Sequence, residues 1–572
     1  MKVNITIDGK SIVAENGEKL LDVARKNGIN VPSLCYLKGV NNPASCRMCI
    51  VEIVGEKKLP CSCVTSVRDS MQVLTNSPRV IESRKKTLEL LVSAHIDDYS
   101  DGSDDGKHAL QRLCDEYGVD YKRYVGERKQ FDVDTSSPCI QRDNNKCILC
   151  GNCVAVCSKV QKVNALSKTK RGFNSYIGCG YKTNLGSSTC VGCGQCTLVC
   201  PTGALSENSS IEKVKSLLKS GDPVIAQVAP SVRVSFMEEF GSPIGTFNEG
   251  KMVGALKKLG FSKVFDINMG ADFTVVEEAK ELVEKIKEGR HLPQFSSCCP
   301  AWFKYVQIYY KDYEKNLSTC KSPSEMLGAI VKNYYAKTQQ LKNVKVVAVM
   351  PCTAKKGEIE RAQDVDAVIT TREFAKMVRE ANINIDKIDE TKFDSPLGTY
   401  SGAGLIFGAT GGVTEAVLRT ASEIVAGKDL SKVDFEEVRY SPGIKEVSMN
   451  VEGLKLNIAI VNGLANANKV MKDVISGKKK YHFIEVMACP GGCINGGGQP
   501  FVDYAKIEVS EVIKKRTASI YSEDKKIKIR KSNKNAEVTK IYQDFFIKTK
   551  GLSEKLLHYR GEDEKISKRK TK

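Results

Sequence analysis

Residues 485–500 read Glu485-Val-Met-Ala-Cys489-Pro-Gly-Gly-Cys493-Ile-Asn-Gly-Gly-Gly-Gln499-Pro500. Two thiols four residues apart among five glycines describe backbone folded tightly against something bulky and bound through sulfur. Two related loops lie upstream, Phe295-Ser-Ser-Cys298-Cys299-Pro300-Ala-Trp302 and Met350-Pro351-Cys352-Thr-Ala-Lys355-Lys-Gly-Glu358, and the loops at Met350 and Glu485 each follow a short apolar run. Such β-rich runs recur at Val224 to Val228, Val264 to Ile267, Val344 to Val349, Leu456 to Val461 and Phe483 to Met487. Most are followed by a loop and a helical stretch, which predicts an α/β region with buried parallel strands. Ligands of open α/β sheets bind at the carboxyl ends of the strands, and the cysteines of all three loops fall there.

A chain of 572 residues is too long for one core, so several domains are expected. Its apolar and charged fractions are those of a soluble globular protein. No run reaches the ~18 uncharged apolar residues of a spanning helix, and the amino terminus lacks a signal-peptide core, which predicts no membrane association and a cytoplasmic location. The 22 cysteines fall in two- and three-residue spacings typical of metal sites, and disulfides are the weaker alternative. The net charge of +19 raises nucleic-acid binding, but no recognisable module or aromatic-basic interleaving supports it. The charge reads as a solvated basic surface that would steer an acidic partner.

Two cysteine runs, Cys147-x2-Cys150-x2-Cys153-x3-Cys157 and Cys190-x2-Cys193-x2-Cys196-x3-Cys200-Pro201, carry the two-cluster bacterial ferredoxin signature. In that signature the fourth cysteine of each run ligates the other cluster, so one [4Fe-4S] cubane takes Cys147, Cys150, Cys153 and Cys200, and the other Cys190, Cys193, Cys196 and Cys157. Near the amino terminus, alternating apolar residues around Asp8-Gly9 predict a hairpin, followed by a helix from Lys19 to Asn27. Cys35, Cys46, Cys49 and Cys63 then suit a four-thiolate [2Fe-2S] site, with a four-cysteine zinc site as the alternative and Cys61 a competitor for Cys63.

The three cysteine-bearing loops, in this order, resemble the signature motifs of the iron-only (FeFe) hydrogenases, and the resemblance extends over almost the whole chain. It implies reversible 2H⁺ + 2e⁻ ⇌ H2 at a six-iron H-cluster, a [4Fe-4S] cubane joined to a two-iron unit carrying CO, cyanide and a dithiolate. Carried over by motif, the cubane ligands are Cys299, Cys352, Cys489 and Cys493, with Cys493 as the bridge. The implied organisation is a plant-type ferredoxin-like β-grasp domain over 1–80, a helical segment over 81–130, a two-cluster ferredoxin-like domain over 131–210, the α/β catalytic domain over 211–510, and a C-terminal wrapping segment over 511–572.

The segment 81–130 departs from the family, which there binds a [4Fe-4S] cluster through one histidine and three cysteines. His95 is present, but the cysteine positions hold Tyr99, Gly102 and His108. This cluster is therefore expected to be absent and Asp97 to Lys107 to be an ordinary surface loop. A weak zinc site involving Cys114 is the residual alternative.

The resemblance also implies a proton chain of Cys298, Glu278, Ser318 and Glu281. The residues offer partial support: Thr274-x-x-Glu277 reads as a capping box, and Glu278 falls on the apolar stripe of Val275, Leu282 and Ile286. Lys355 and Ser231 suit hydrogen bonding to cyanide, with Lys356 the surface lysine of the pair. Pro230, Met350, Phe407 and Met487 would complete an apolar surrounding for the two-iron unit. Ferredoxin or a similar acidic carrier is the expected electron partner, and maturation enzymes would supply the two-iron unit. The alternatives are a low-turnover sensory hydrogenase, an iron-sulfur assembly relative lacking the two-iron unit, and a complex-I-like electron-transfer subunit. Gly402-Ala-Gly404-x3-Gly408 does not have nucleotide-binding spacing and reads as tight backbone packing. Cys61, Cys139, Cys179 and Cys320 receive no role.

Overall fold

A computed structural model describes residues 1–95, 108–124, 126–180, 183–503 and 506–559. The expected loop from Asp97 to Lys107, with Tyr99 and Gly102, lies outside the described residues, as does the basic terminal run Lys568 to Lys572. The chain divides into two compact units, Met1–Cys190 with Gln195–Glu207 and Phe501–Glu511, and Val191–Gly194 with Asn208–Pro500 and Val512–Lys572.

The first unit opens with the expected hairpin, β1 (Lys2–Ile7) and β2 (Lys10–Glu15), turning at Asp8-Gly9 with Gly9 in the left-handed region at φ 80°. With β3 (Glu52–Ile53) and β4 (Gln72–Leu74) they make a mixed sheet in the order β2-β1-β4-β3, in which β1 and β4 run parallel. The helix Leu20–Lys26 buries Leu20, Leu21, Val23 and Ala24 in the same core. The next helix, Pro78–Ser93, starts where Ser77 accepts from the Val80 amide and Pro78 takes the first turn. A shorter helix, Ala109–Glu116, packs on it. Small antiparallel pairs, β5 (Ile140–Arg142) with β8 (Leu205–Glu207) and β6 (Ser167–Thr169) with β7 (Tyr176–Gly178), frame the double cysteine run.

Two four-stranded sheets build the second unit. Strands β9 (Val224–Val228), β10 (Lys263–Asp266), β12 (Lys345–Met350) and β13 (Ala367–Thr370) form an all-parallel sheet in the order β10-β9-β12-β13. All five residues of β9 are buried, as a parallel strand covered on both faces requires. The second sheet, β11-β16-β15-β14, joins β11 (Gln294–Phe295), β16 (Phe483–Met487) and β15 (Leu454–Asn462) in parallel. It departs from the all-parallel expectation at its edge, where β14 (Ile444–Val451) returns antiparallel to β15 through a tight turn with Gly453 at φ 88°.

The helix Ile267–Glu288 corrects one sequence reading. It begins seven residues before Thr274, because Asp266, ending β10, accepts from the Asn268 amide and caps it. Thr274 is interior, its hydroxyl donating to the Gly270 carbonyl, and Glu277 is not a capping residue. The glycines near 402 serve packing as expected: a Cβ on Gly404 would lie 2.4 Å from the Asn268 carbonyl oxygen, and one on Gly408 2.7 Å from Ser231 Oγ.

Candidate active site and metal centres

Four loops leave the carboxyl ends of β9, β11, β12 and β16 and meet around one cavity of about 70 Å³. Its volume has room for several waters, at about 10–15 Å³ each. Its wall contains Cys298, Cys299, Cys352, Cys489 and Cys493, together with Pro230, Ser231, Met350, Lys355, Phe407 and Met487. None of these cysteines is in a disulfide. The structure thus brings together every residue assigned to the catalytic loops from sequence, and adds Ile267, Ala271, Pro323 and Ser324 to the wall.

The glycine-rich loop is held by partners that sequence reading missed. The Arg372 guanidinium donates to the carbonyls of Gln499 at 2.6 Å and Gly497 at 2.9 Å. Gln499 accepts from Ser235 and Thr371 and donates to the Ser231 carbonyl. Arg516 donates to the Ile494 carbonyl at 2.7 Å, and Glu485 receives the amides of Gly411 and Thr414. Arginines on amphipathic helices read in sequence as solvated, and nothing local marks them as loop anchors. Gly491 and Gly492 have φ of 82° and 94°, and a Cβ on Gly492 would lie 2.7 Å from the Thr410 amide nitrogen. No other residue type fits that path.

Burial, with their mutual repulsion, pushes the site's thiols up, Cys352 to about 11 and Cys489 further. Several facing thiols in one low-dielectric pocket resist ionisation on their own, and a soft cation is the partner that lets them ionise together. Lys355 is buried and pairs with Glu358 at 2.5 Å. Lys356, expected at the surface, is instead buried, bonded to Glu373, Ser210 and the Val368 carbonyl, because the capping box of the helix Thr371–Glu380 presents Glu373 to it.

Behind Cys298 lies Glu278, buried, with Oε2 lacking a hydrogen-bond partner among the described residues. Burial, reinforced by the charge of Glu281 and only partly offset by the polar Ser318 hydroxyl nearby, pushes its carboxyl up to about 8. Glu278 in turn helps hold the Cys298 thiol protonated. Ser318 donates to Glu281 Oε2 at 2.9 Å, and Glu281, partly exposed, pairs with Lys285 at 2.7 Å.

In the first unit, Cys147, Cys150, Cys153 and Cys200 line one pocket, and Cys157, Cys190 and Cys196 pack in the adjoining cluster. Cys193 belongs to the segment Val191–Gly194, grouped with the second unit, where Thr353 donates to the Gly192 carbonyl at 2.7 Å and Cys193 adds to the repulsion on Cys489. Cys35, Cys46, Cys49, Cys61 and Cys63 are all buried, and Cys61 and Cys63 both reach Cys49, so proximity does not choose between them. His95 is buried with Nε2 2.9 Å from the Lys146 carbonyl oxygen. Among the described residues no helix is long and apolar enough to cross a membrane.

Comparison with known proteins matches residues 222–497 to the iron only hydrogenase large subunit, C-terminal domain. Residues 510–563 match the iron hydrogenase small subunit, 1–78 a 2Fe-2S iron-sulfur cluster binding domain, and 146–204 a 4Fe-4S dicluster domain. The NADP-reducing hydrogenase subunit HndD of Solidesulfovibrio fructosivorans is 43% identical, over 97% of this chain and 98% of its own. Iron hydrogenase 1 of Clostridium pasteurianum is 39% identical, over 97% and 99%. Among solved structures, a variant of the [FeFe]-hydrogenase HydA1 from Chlamydomonas reinhardtii aligns with a TM-score of 0.54 at 34% identity, covering 62% of this chain and 98% of that one.

Proposed function

Because this chain belongs to the iron-only hydrogenase family, we propose that it catalyses reversible proton reduction to H2 at an H-cluster in the cavity below β9, β11, β12 and β16. The observation that carries this reading is the convergence of Cys298, Glu278 and Lys355 with four further cysteines on one buried site. An assembly relative that bound only a cubane would have no use for a buried acid behind a non-ligand thiol.

Cys299, Cys352, Cys489 and Cys493 would hold the cubane, and Cys493 would also carry the two-iron unit. The donor set fits: thiolates are the ligands of iron-sulfur clusters, and apart from the thiols the pocket is apolar but for Lys355, Ser231 and Ser324. When bound, the six-iron centre supplies the redox site at which protons and electrons combine. Lys355 Nζ would supply hydrogen-bond donors towards anionic ligands, Ser231 Oγ would do so on turning from the Gly408 carbonyl that it bonds at 3.2 Å, and Met350, Phe407 and Met487 would exclude water. Protons would pass from Glu281 through the Ser318 hydroxyl and Glu278 carboxyl to Cys298 Sγ. A carboxyl poised at about 8 can both take and release a proton near neutral pH.

The cysteines of the amino-terminal sheet domain and the double run would hold one [2Fe-2S] and two [4Fe-4S] clusters. The mixed order β2-β1-β4-β3 with its single helix supports the β-grasp reading of that domain. Packing of the Cys193 segment against Thr353, next to Cys352, supports an electron route into the site. Ferredoxin is the proposed carrier. The length-wide similarity to an NADP-reducing subunit favours a second reading, in which the chain works within a pyridine-nucleotide-linked assembly.

The deciding experiment is infrared spectroscopy of anaerobic protein made with the hydrogenase maturation enzymes. CO and cyanide bands that shift under H2 are expected. Their absence at full cubane iron would overturn the reading in favour of an assembly factor. H2 evolution driven by reduced ferredoxin against NADPH separates the two electron partners.

A further inference from the structure

Three potential ligands from three separate elements meet at the outer end of the proton chain. Glu281 comes from the helix Ile267–Glu288, Cys320 from the segment after β11, and His558 from just beyond the helix Leu552–Leu557. Their ligand atoms all lie within 4.8 Å of one another. Cys320 Sγ is 3.8 Å from Glu281 Oε2 and 3.9 Å from His558 Nδ1. Tetrahedral zinc with sulfur at about 2.3 Å and nitrogen or oxygen at about 2.0–2.1 Å needs ligand separations of roughly 3.5 Å, a few tenths shorter.

The surroundings orient each donor. Cys320 and His558 are bridged antiparallel through their backbones, and the amides of Lys321 and Tyr559 donate to the carbonyls of Leu557 and Thr319. The other imidazole nitrogen, Nε2, faces Glu277 Oε2 at 3.2 Å. A carboxylate behind the distal nitrogen turns Nδ1 towards the site, the arrangement that metal-bound histidines use. Lys285 occupies the opposite oxygen of Glu281, Oε1, and leaves Oε2 facing Cys320. At present Thr319 Oγ1 lies 2.8 Å from Nδ1, a hydroxyl contact that a metal would displace.

We propose that Glu281, Cys320 and His558 form a zinc site, with water as fourth ligand, and that its occupancy stops proton delivery. The site stands on its own geometry, and the inhibitory effect rests on the proton chain proposed above. Binding exchanges one proton: the Cys320 thiol releases it to solvent, a sulfur–zinc bond forms, water leaves the hydrated ion, and no electron moves. The oxygen claimed by zinc is Glu281 Oε2, the atom that receives the Ser318 hydroxyl. A metal there takes the proton acceptor away from the next member of the chain.

The test uses the full-length holoenzyme with zinc chloride, a chromophoric chelator competing for zinc, and X-ray absorption at the zinc edge, where iron does not interfere. One zinc with one sulfur and three light ligands is expected, with turnover falling as the site fills and recovering on chelation. Cys320→Ala and, separately, His558→Ala should each weaken this zinc at least about tenfold while keeping metal-free turnover, and Glu277→Gln should weaken it about 10–100-fold. Unchanged affinity in both Cys320→Ala and His558→Ala would overturn the site, as would a four-sulfur zinc shell. Zinc bound in the expected shell with turnover untouched would keep the site and overturn the relay through Glu281.

Discussion

The Ser318 hydroxyl donates a 2.9 Å hydrogen bond to Oε2 of Glu281, linking the segment that follows the 3-10 turn Lys311–Asn316 to the helix that follows β10. Residues 37 apart in sequence thereby share one proton position, with Glu278 one helical turn before Glu281 on the buried side.

Replacing Glu278 by Gln keeps shape but removes the proton-accepting group. Turnover should fall by roughly 10²–10⁴-fold, the usual worth of a positioned acid or base, with iron content and infrared bands retained. Wild-type H2 evolution in the variant would remove Glu278 from the path.

The same group sets a pH dependence of stability. Its folded value of about 8 lies above the ~4.3 of an unfolded glutamate, so the folded state holds the extra proton between these limits. Its contribution is complete below about pH 4 and is lost as pH rises through about 8. Apparent melting temperature should therefore fall less between pH 5 and 8 in Glu278→Gln than in wild type, measured by scanning calorimetry at matched cluster content.

Lys355→Ala should be costly twice over. It leaves the buried Glu358 carboxylate without its 2.5 Å partner, worth about 3–5 kcal/mol when a buried pair is broken, and removes a donor from the cavity wall. Denaturation should show the loss of stability, and the infrared bands should weaken or vanish even in protein that remains folded.

Iron analysis tests whether the histidine-type cluster is absent. The clusters assigned here need roughly 16 irons per chain, and a reconstituted protein carrying close to 20 would show that a further cubane is bound.

Gly492→Ala forces a side chain onto a φ of 94° and to within 2.7 Å of the Thr410 amide. The loop carrying Cys489 and Cys493 would have to shift, so the variant should lose about six irons and all H2 activity while the ferredoxin-type clusters keep their electron paramagnetic resonance signals.

The residues of this chain determined by themselves whatever depends on near neighbours. Thiol spacing reports cluster loops, because a cluster must collect its ligands from short, bent backbone, and the Asp8-Gly9 turn and the run Val224–Val228 declare their strands locally. The tertiary structure decided what depends on distant partners. Asp266 moved the start of a helix that Thr274 had seemed to cap, Glu373 drew Lys356 into the interior, and Arg372 and Arg516 became anchors of the glycine-rich loop. Cys320 had no meaning until folding placed it beside Glu281 and His558, a residue 238 positions away. A lone polar side chain carries no local signal of its partner, and only the long-range packing of strands and helices fixes which buried charge it must answer.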